Sequence, residues 1–229
     1  MHRNEKDLSK VFITFEGIEG SGKSTQIRRI SEFLKSIGYD CLVTREPGNT
    51  AIGKKIRAIL LDPENKVMDF RTELLLYMAD RAQHISEKIK PALSQGRPVL
   101  CDRYFDATVA YQGFARGLDI AFIYKLHEVV LDDLKPDLTV LFDLLPEIGL
   151  SRAWKQIQNG NRDKGETRFE KETLIFHEKV RAGYLELARR EPERFRITDA
   201  SKNEDQVTDD IIVCLRKYLS LGVTQLHDF

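Results

Sequence analysis

The sequence predicts an α/β protein of three layers, a five-stranded parallel sheet with helices on both faces. Three observations lead there. Five short apolar runs, at residues 11–16, 41–44, 99–101, 138–142 and 195–198, alternate with helix-like stretches. The first run ends in a glycine-rich loop that opens directly into a helical pattern. A chain of 229 residues is long for one α/β domain and short for two, which suits a single domain with an insertion or two.

The elements follow in order. Residues 1–10 are polar, lack the apolar core of a signal peptide and are expected to form a disordered extension. The domain then spans residues 11–221, with a short tail at 222–229. After the first strand, Ile27, Ile30, Leu34 and Ile37 recur at spacings of three and four, which marks a helix over residues 23–37 that ends at Gly38. The second strand breaks at Glu46-Pro47-Gly48-Asn49, and residues 51–61 read as a helix. A long helix over residues 73–93 carries Leu74, Met78, Ala82, Ile85 and Ile89 on one stripe. The third strand is followed at once by Asp102-Arg103-Tyr104. Further helices are expected at 122–134, 146–158, 169–190 and 204–219, with a polar loop at 159–167. Right-handed crossovers gather the loops after the strands on one edge. The segments 16–22, 45–48, 102–104 and Asp143 should therefore meet at one cleft.

Composition narrows the function classes. Thirty-six basic residues balance thirty-six acidic ones, which argues against a general nucleic-acid binder or a polybasic membrane protein. No apolar run approaches the roughly 18 residues needed to span a bilayer. Cys41, Cys101 and Cys214 are far apart, lack metal spacing and read as buried reduced thiols of a cytoplasmic protein. His2, His84, His127, His177 and His227 are scattered, and no chemistry is assigned to them.

The loop Gly17-Ile18-Glu19-Gly20-Ser21-Gly22-Lys23-Ser24 carries the most chemistry. Phosphate binding needs backbone N–H groups turned inward, and glycines permit that wrap. The helix that starts at Lys23 aims its N-terminal dipole at the same point. Lys23 is placed to bridge the β- and γ-phosphates of a nucleoside triphosphate, and Ser24 offers a hydroxyl to Mg²⁺. The loop establishes a nucleotide site but not a reaction. A base-reading N-K-x-D, expected of a switch GTPase, is absent.

Other residues suit a phosphotransferase but admit plainer readings. Asp102 and Arg103 would stand near the Mg²⁺ waters and on a substrate phosphate, or form a surface ion pair. Tyr77 and Arg81, one helical turn apart, would face a ligand, or be a core-flanking aromatic and a solvated charge. Residues 159–170 hold Arg162, Lys164 and Arg168 around two glycines. They would form a basic lid over a transferring phosphoryl group, or a merely soluble loop. No arginine lies between Gly17 and Gly22, so an arginine for transfer must come from elsewhere.

From about Val11 to Leu219 the chain resembles bacterial thymidylate kinases. The resemblance rests on F-E-G-I-E-G-S-G-K-S-T from Phe15, R-E-P-G from Arg45 and L-L-L-Y-M-A-D-R from Leu74. It continues in D-R-Y from Asp102, A-Y-Q-G from Ala110, R-F-E from Arg168 and F-H-E-K-V-R-A-G-Y from Phe176. The resemblance implies a P-loop kinase fold and transfer of the γ-phosphoryl of ATP to dTMP with Mg²⁺. It implies that Tyr77 stacks on thymine and Arg81 contacts its carbonyl. Thr108 and Gln112 would lie near the base edge, Tyr111 near the sugar and Arg103 on the dTMP phosphate. Lys23, Arg103, Arg162, Arg168 and Asp102 would serve catalysis. The ATP site would comprise Gly17 to Thr25 with Arg152 and Ala200 beside the adenine, and the metal would lie at Ser24 and Asp102. A homodimer is also implied. Tyr77 replaces a more usual Phe, and Ala107 stands where many relatives have Ser, so a hydrogen bond there is either absent or supplied by Thr108.

Overall fold

The computed structural model describes residues 10–160, 163 and 165–219. Its strands are β1 (Phe12–Gly17), β2 (Leu42–Arg45), β3 (Val99–Asp102), β4 (Leu138–Asp143) and β5 (Phe195–Asp199). They form one five-stranded parallel sheet, as the alternation of apolar runs predicts, in the order β2-β3-β1-β4-β5. β1 lies in the middle and is buried at all six positions. Its side chains alternate across the sheet: Ile13 and Phe15 join one core, and Phe12 joins a second with Val99, Cys101 and Tyr104. The Phe12 and Tyr104 rings meet edge to face at 4.9 Å.

The helices are α1 (Lys23–Ser36), α2 (Ala51–Leu61), α3 (Phe70–His84), α4 (Lys90–Ser94), α5 (Phe105–Thr108), α6 (Ile120–Leu131), α7 (Pro146–Gln158), α8 (Leu174–Arg190) and α9 (Glu204–Leu219). Caps set several boundaries. Thr50 accepts from Gly53 N at the start of α2, and Asp69 accepts from Arg71 N at the start of α3. Asp119 caps α6, which ends where Asp132 and Asp133 turn to positive φ. Among the described residues no helix is long and apolar enough to cross a membrane.

Four expectations need correction. The long helix begins at Phe70 rather than residue 73, and between α3 and α4 it passes through a π-helical turn, Ile85–Ile89. Pro91 follows that turn after one residue, Lys90, and its ring would clash with the carbonyl four residues back in a regular helix. Its buried face also differs from the apolar stripe: Ala82 is exposed, whereas Glu73, Asp80, Arg81 and His84 are buried. The helix expected from residue 169 starts at Leu174, with Thr173 as N-cap and turns before it. Only Cys101 is buried, Cys41 and Cys214 being half-buried, and all three are free.

Sequence periodicity also misses α5 and the π-helical segment after it, Val109–Ala115. That stretch is buried on nearly every side, so it shows no amphipathic stripe. It lies against α8 at Gly183, where a β-carbon would come within 2.8 Å of the Phe114 ring.

Candidate functional site

The site grows from the carboxyl ends of β1, β2 and β3. β1 runs into the glycine loop, and Gly22 at φ 90 turns the chain into α1. The loop lies against α7 so closely that a β-carbon on Gly20 would stand 2.0 Å from Gly149 O. No other residue fits there. The buried Lys23 sends Nζ to Gly17 O at 3.0 Å, Ile18 O at 2.8 Å and Ser21 Oγ at 3.1 Å. Burial, and then the Arg103 charge, bring its ammonium down to about 8.

Glu19 links the loop to the next strand. Its Oε1 accepts from Tyr111 Oη at 2.6 Å and from Arg103 Nη2 at 3.0 Å, and its Oε2 lies 3.3 Å from His177 Nδ1. Burial alone would raise this carboxyl, but Arg103, His177 and Tyr111 outweigh it and hold it below the ordinary range. Arg103 sits at φ 67, a left-handed conformation uncommon for a side chain of its size. Its guanidinium also donates to Gly17 O at 2.8 Å and Tyr184 Oη at 3.1 Å and stands 5.0 Å over the Tyr111 ring. Beneath it, Glu16 accepts from Tyr104 N and Tyr184 Oη, both at 2.7 Å. Burial and then Asp106 push the Glu16 carboxyl up to about 8.

Two cavities open onto this hub. The first is an open cleft above the glycine loop, lined by Glu19 to Thr25, Asp102 and Arg103. Ser24 Oγ donates to Asp102 Oδ2 at 3.2 Å, and the buried Asp102 Oδ1 has no hydrogen-bond partner. A hydroxyl, a carboxylate and an uncommitted oxygen at a phosphate loop form a donor set that fits a hard divalent cation completed by phosphate oxygens and water.

The second cavity, of about 590 Å³, is lined by Tyr77, Arg81, Thr108, Tyr111 and Gln112, with Ala107 beside them. Arg81 is only 1% exposed, so the solvated-charge alternative fails. Its Nε donates to Glu46 Oε2 at 2.8 Å, Nη1 to Thr108 Oγ1 at 3.0 Å and Nη2 to Tyr104 O at 3.0 Å. His127 Nε2 lies 3.3 Å from Nη1, and burial and Arg81 hold that imidazole neutral. Glu46 in turn takes His84 Nδ1 at 2.9 Å. Gln112 Nε2 donates to Glu73 Oε1 at 2.7 Å.

The predicted residues therefore divide into three groups. The loop, Asp102 and Arg103 line the first cavity, and Tyr77, Arg81, Thr108, Tyr111 and Gln112 line the second beside Arg103. Arg152 donates to Ala200 O at 2.9 Å, joining α7 to the turn after β5 on the far side of the loop. Arg168 is not presented to the phosphate cavity. It is buried, donates Nε to Leu60 O and lies 2.6 Å from Glu73 Oε2 with its guanidinium over Phe169. Asp143 is likewise engaged, taking Arg181 at 2.6 and 2.9 Å. Arg162 and Lys164 lie outside the described residues, as do residues 1–9 and 220–229.

Sequence reasoning missed Arg57, Glu166 and Glu73, and left Arg45 and Glu46 as motif letters only. Arg57 and Glu166 line both cavities and pair through two bonds, at 2.8 and 2.7 Å. The one available signal was a charge, Arg57, on the inward side of an otherwise apolar turn of α2.

A parallel sheet with a phosphate loop at its switch point, joined to an enclosed aromatic pocket through shared cations, defines a P-loop nucleotide phosphotransferase. Comparison with known proteins is specific. The family model described as thymidylate kinase matches residues 15–211. The thymidylate kinase of Desulfosudis oleivorans is 53% identical over 207 residues, covering 90% of this chain and 97% of that protein. The thymidylate kinase of Desulforapulum autotrophicum is 55% identical over 213 residues, covering 93% and 94%. The crystal structure of the Ehrlichia chaffeensis thymidylate kinase superimposes with a TM-score of 0.71 at 32% identity, covering 90% of this chain and 98% of that one. The chain belongs to the thymidylate kinase family.

Proposed function

We propose that this enzyme transfers the γ-phosphoryl group of ATP to dTMP, giving dTDP. The observation that carries the reading is the shared wall between the cavities: Glu19, Glu46, Arg57, Arg103 and Glu166 line both. A donor triphosphate on the glycine loop and a nucleoside monophosphate in the aromatic pocket would meet at Arg103. The monophosphate oxygen attacks the γ-phosphorus in line, and no covalent enzyme intermediate is needed.

The chain's own groups supply position and charge. Lys23 gives up part of its bonding within the loop to neutralise the β/γ bridge. Arg103, held by Glu19, is aimed at the acceptor phosphate. Arg45 and Arg57 add cations on the β2 side of the cleft, and Arg162 is the lid cation of this reading. Tyr77 offers the stacking face and Arg81 a donor to the base. Arg152 and Ala200 would flank the adenine. Ser24 and Asp102 would hold Mg²⁺, which polarises the phosphate oxygens when bound.

We also read the enzyme as a cytoplasmic homodimer. α2, α3 and α6 lie side by side and leave Ile52, Ile59, Leu75, Phe122 and Val129 exposed, a face suited to a second copy. Sedimentation analysis would decide: a monomer at micromolar concentration would sink the dimer. For the reaction, ADP release is measured with each nucleoside monophosphate in turn. Release with dTMP is expected. Release only with another acceptor, or with none, would overturn the reading.

A further inference from the structure

Glu73 is fully buried on α3, one turn before Tyr77, and every contact it makes is with a donor. Gln112 Nε2 donates to Oε1 at 2.7 Å. Arg116 reaches Oε1 through Nε and Oε2 through Nη2, each at 3.3 Å, and Arg168 Nη2 lies 2.6 Å from Oε2. Two guanidiniums and one amide thus direct N–H groups at its two oxygens, and a carboxylate so surrounded serves as acceptor.

An amide side chain has two ends, and its partner decides which faces which way. Facing a carboxylate, Gln112 must turn its NH₂ toward Glu73. Its carbonyl oxygen is the end turned away, and Gln112 lines the cavity that Arg81 and Thr108 also line. Arg81 contributes only donors there. Four of its five N–H groups face Glu46, Thr108, His127 and Tyr104, which leaves one on Nη2. The cavity therefore presents a donor from Arg81 and an acceptor from Gln112.

We propose that Glu73 is a specificity-determining residue that fixes the Gln112 amide as an acceptor and so selects 4-oxo pyrimidines with a protonated N3 over cytosine. Thymine and uracil carry an acceptor O4 beside a donor N3–H, which complements that pair. Cytosine carries a donor amino group beside an acceptor N3, so it would set donor against donor and acceptor against acceptor. A site built to hydrogen-bond one pattern rejects the reverse strongly, because buried polar groups are left unpaired. Arg168 and Arg116 act through Glu73, and the turns that carry Arg168 thereby brace the base-reading residue.

This inference rests on the dTMP kinase reading and is tested by the ratio of kcat/KM for dTMP to that for dCMP. In Glu73→Gln the new side chain can turn either end toward Gln112, so the amide is free to flip. The ratio should fall tenfold or more. Glu73→Asp retains an acceptor-only carboxylate and should keep the ratio near that of wild type even if turnover drops. An unchanged ratio in folded, active Glu73→Gln would overturn the proposal. So would equal loss in both variants, which marks a merely structural role, or a wild type that does not discriminate against dCMP. Wild type without dTMP turnover would instead overturn the functional reading itself. Should Glu73→Gln fail to fold, nitrogen-15 NMR of the wild type decides, the Gln112 amide signals being assigned by their loss in Gln112→Met. One of its two amide protons must be shifted downfield and protected from exchange, and two freely exchanging protons would refute the orientation.

Discussion

The Tyr111 hydroxyl donates to Glu19 Oε1 across 2.6 Å, tying an aromatic ring of the second cavity to the glycine loop. Phe169 and Phe176 pack edge-on against that ring and Arg103 stands over it, so it has little freedom to swing aside. If dTMP binds in this cavity as proposed, a rigid ring beside its sugar would exclude a ribose 2′-hydroxyl by bulk. Tyr111→Ala should raise the relative kcat/KM for the ribo-analogue of dTMP even as overall activity falls. Discrimination by bulk alone is on the order of 10²-fold, so the wild-type preference should be modest. Equal ratios in wild type and folded mutant would return Tyr111 to a packing role.

Lys23 titrates near 8 because burial and Arg103 disfavour its charge. Bound triphosphate reverses that balance, so nucleotide binding above pH 8 should take up a proton and binding near pH 6 should not. Calorimetric titration in buffers of different ionisation enthalpy reads the uptake directly. Binding with no proton uptake at pH 8.5 would place Lys23 away from the phosphates. Lys23→Ala should lower kcat by on the order of 10² or more.

The two arginines that the sequence suggests for a lid, Arg162 and Arg168, should behave differently. Arg168 is paired with the buried Glu73, so Arg168→Ala leaves that carboxylate with Arg116 as its remaining cation and Gln112 as its amide donor. A loss of about 2 kcal/mol or more in unfolding free energy is expected, the scale of a broken buried pair. Arg162→Ala should leave stability unchanged and lower kcat more than it raises KM, as removal of a transition-state contact does. A kcat effect of Arg168→Ala without destabilisation would show that Arg168 leaves Glu73 during turnover.

Glu16 provides a stability test. Its folded value of about 8 lies above the ordinary carboxylate range, so the folded state holds a proton that the unfolded state has lost. Stability should therefore fall as pH rises from about 4.5 to about 8. Glu16→Gln can still accept from Tyr104 N and can donate to the Tyr184 hydroxyl. Its unfolding free energy should vary less with pH over that window. An equally steep pH dependence in wild type and Glu16→Gln would show that Glu16 is ionised in the fold.

Much of the site was legible in linear order because its chemistry is local. A glycine loop between a strand and a helix, or Asp102-Arg103 directly after a buried strand, requires only neighbours in the chain. The alternation of apolar runs sufficed for the parallel sheet, since strands buried on both faces cannot hide their composition. α5 and the π-helical segment after it were not legible, because complete burial erases the periodicity by which a helix is recognised.

By itself, the sequence determined the fold class, the phosphate loop with Lys23 and Ser24, and, through its motifs, the family. Tertiary structure alone decided how the charges pair. It took Arg168 out of the phosphate cleft to Glu73, brought Arg57 into the cleft with Glu166, and gave His177 to Glu19. The physical reason is that a buried charge must find a partner, and those partners come from elements far apart in sequence, 84 residues for Arg103 and Glu19 and 109 for Arg57 and Glu166, whose meeting only the packed sheet and helices arrange.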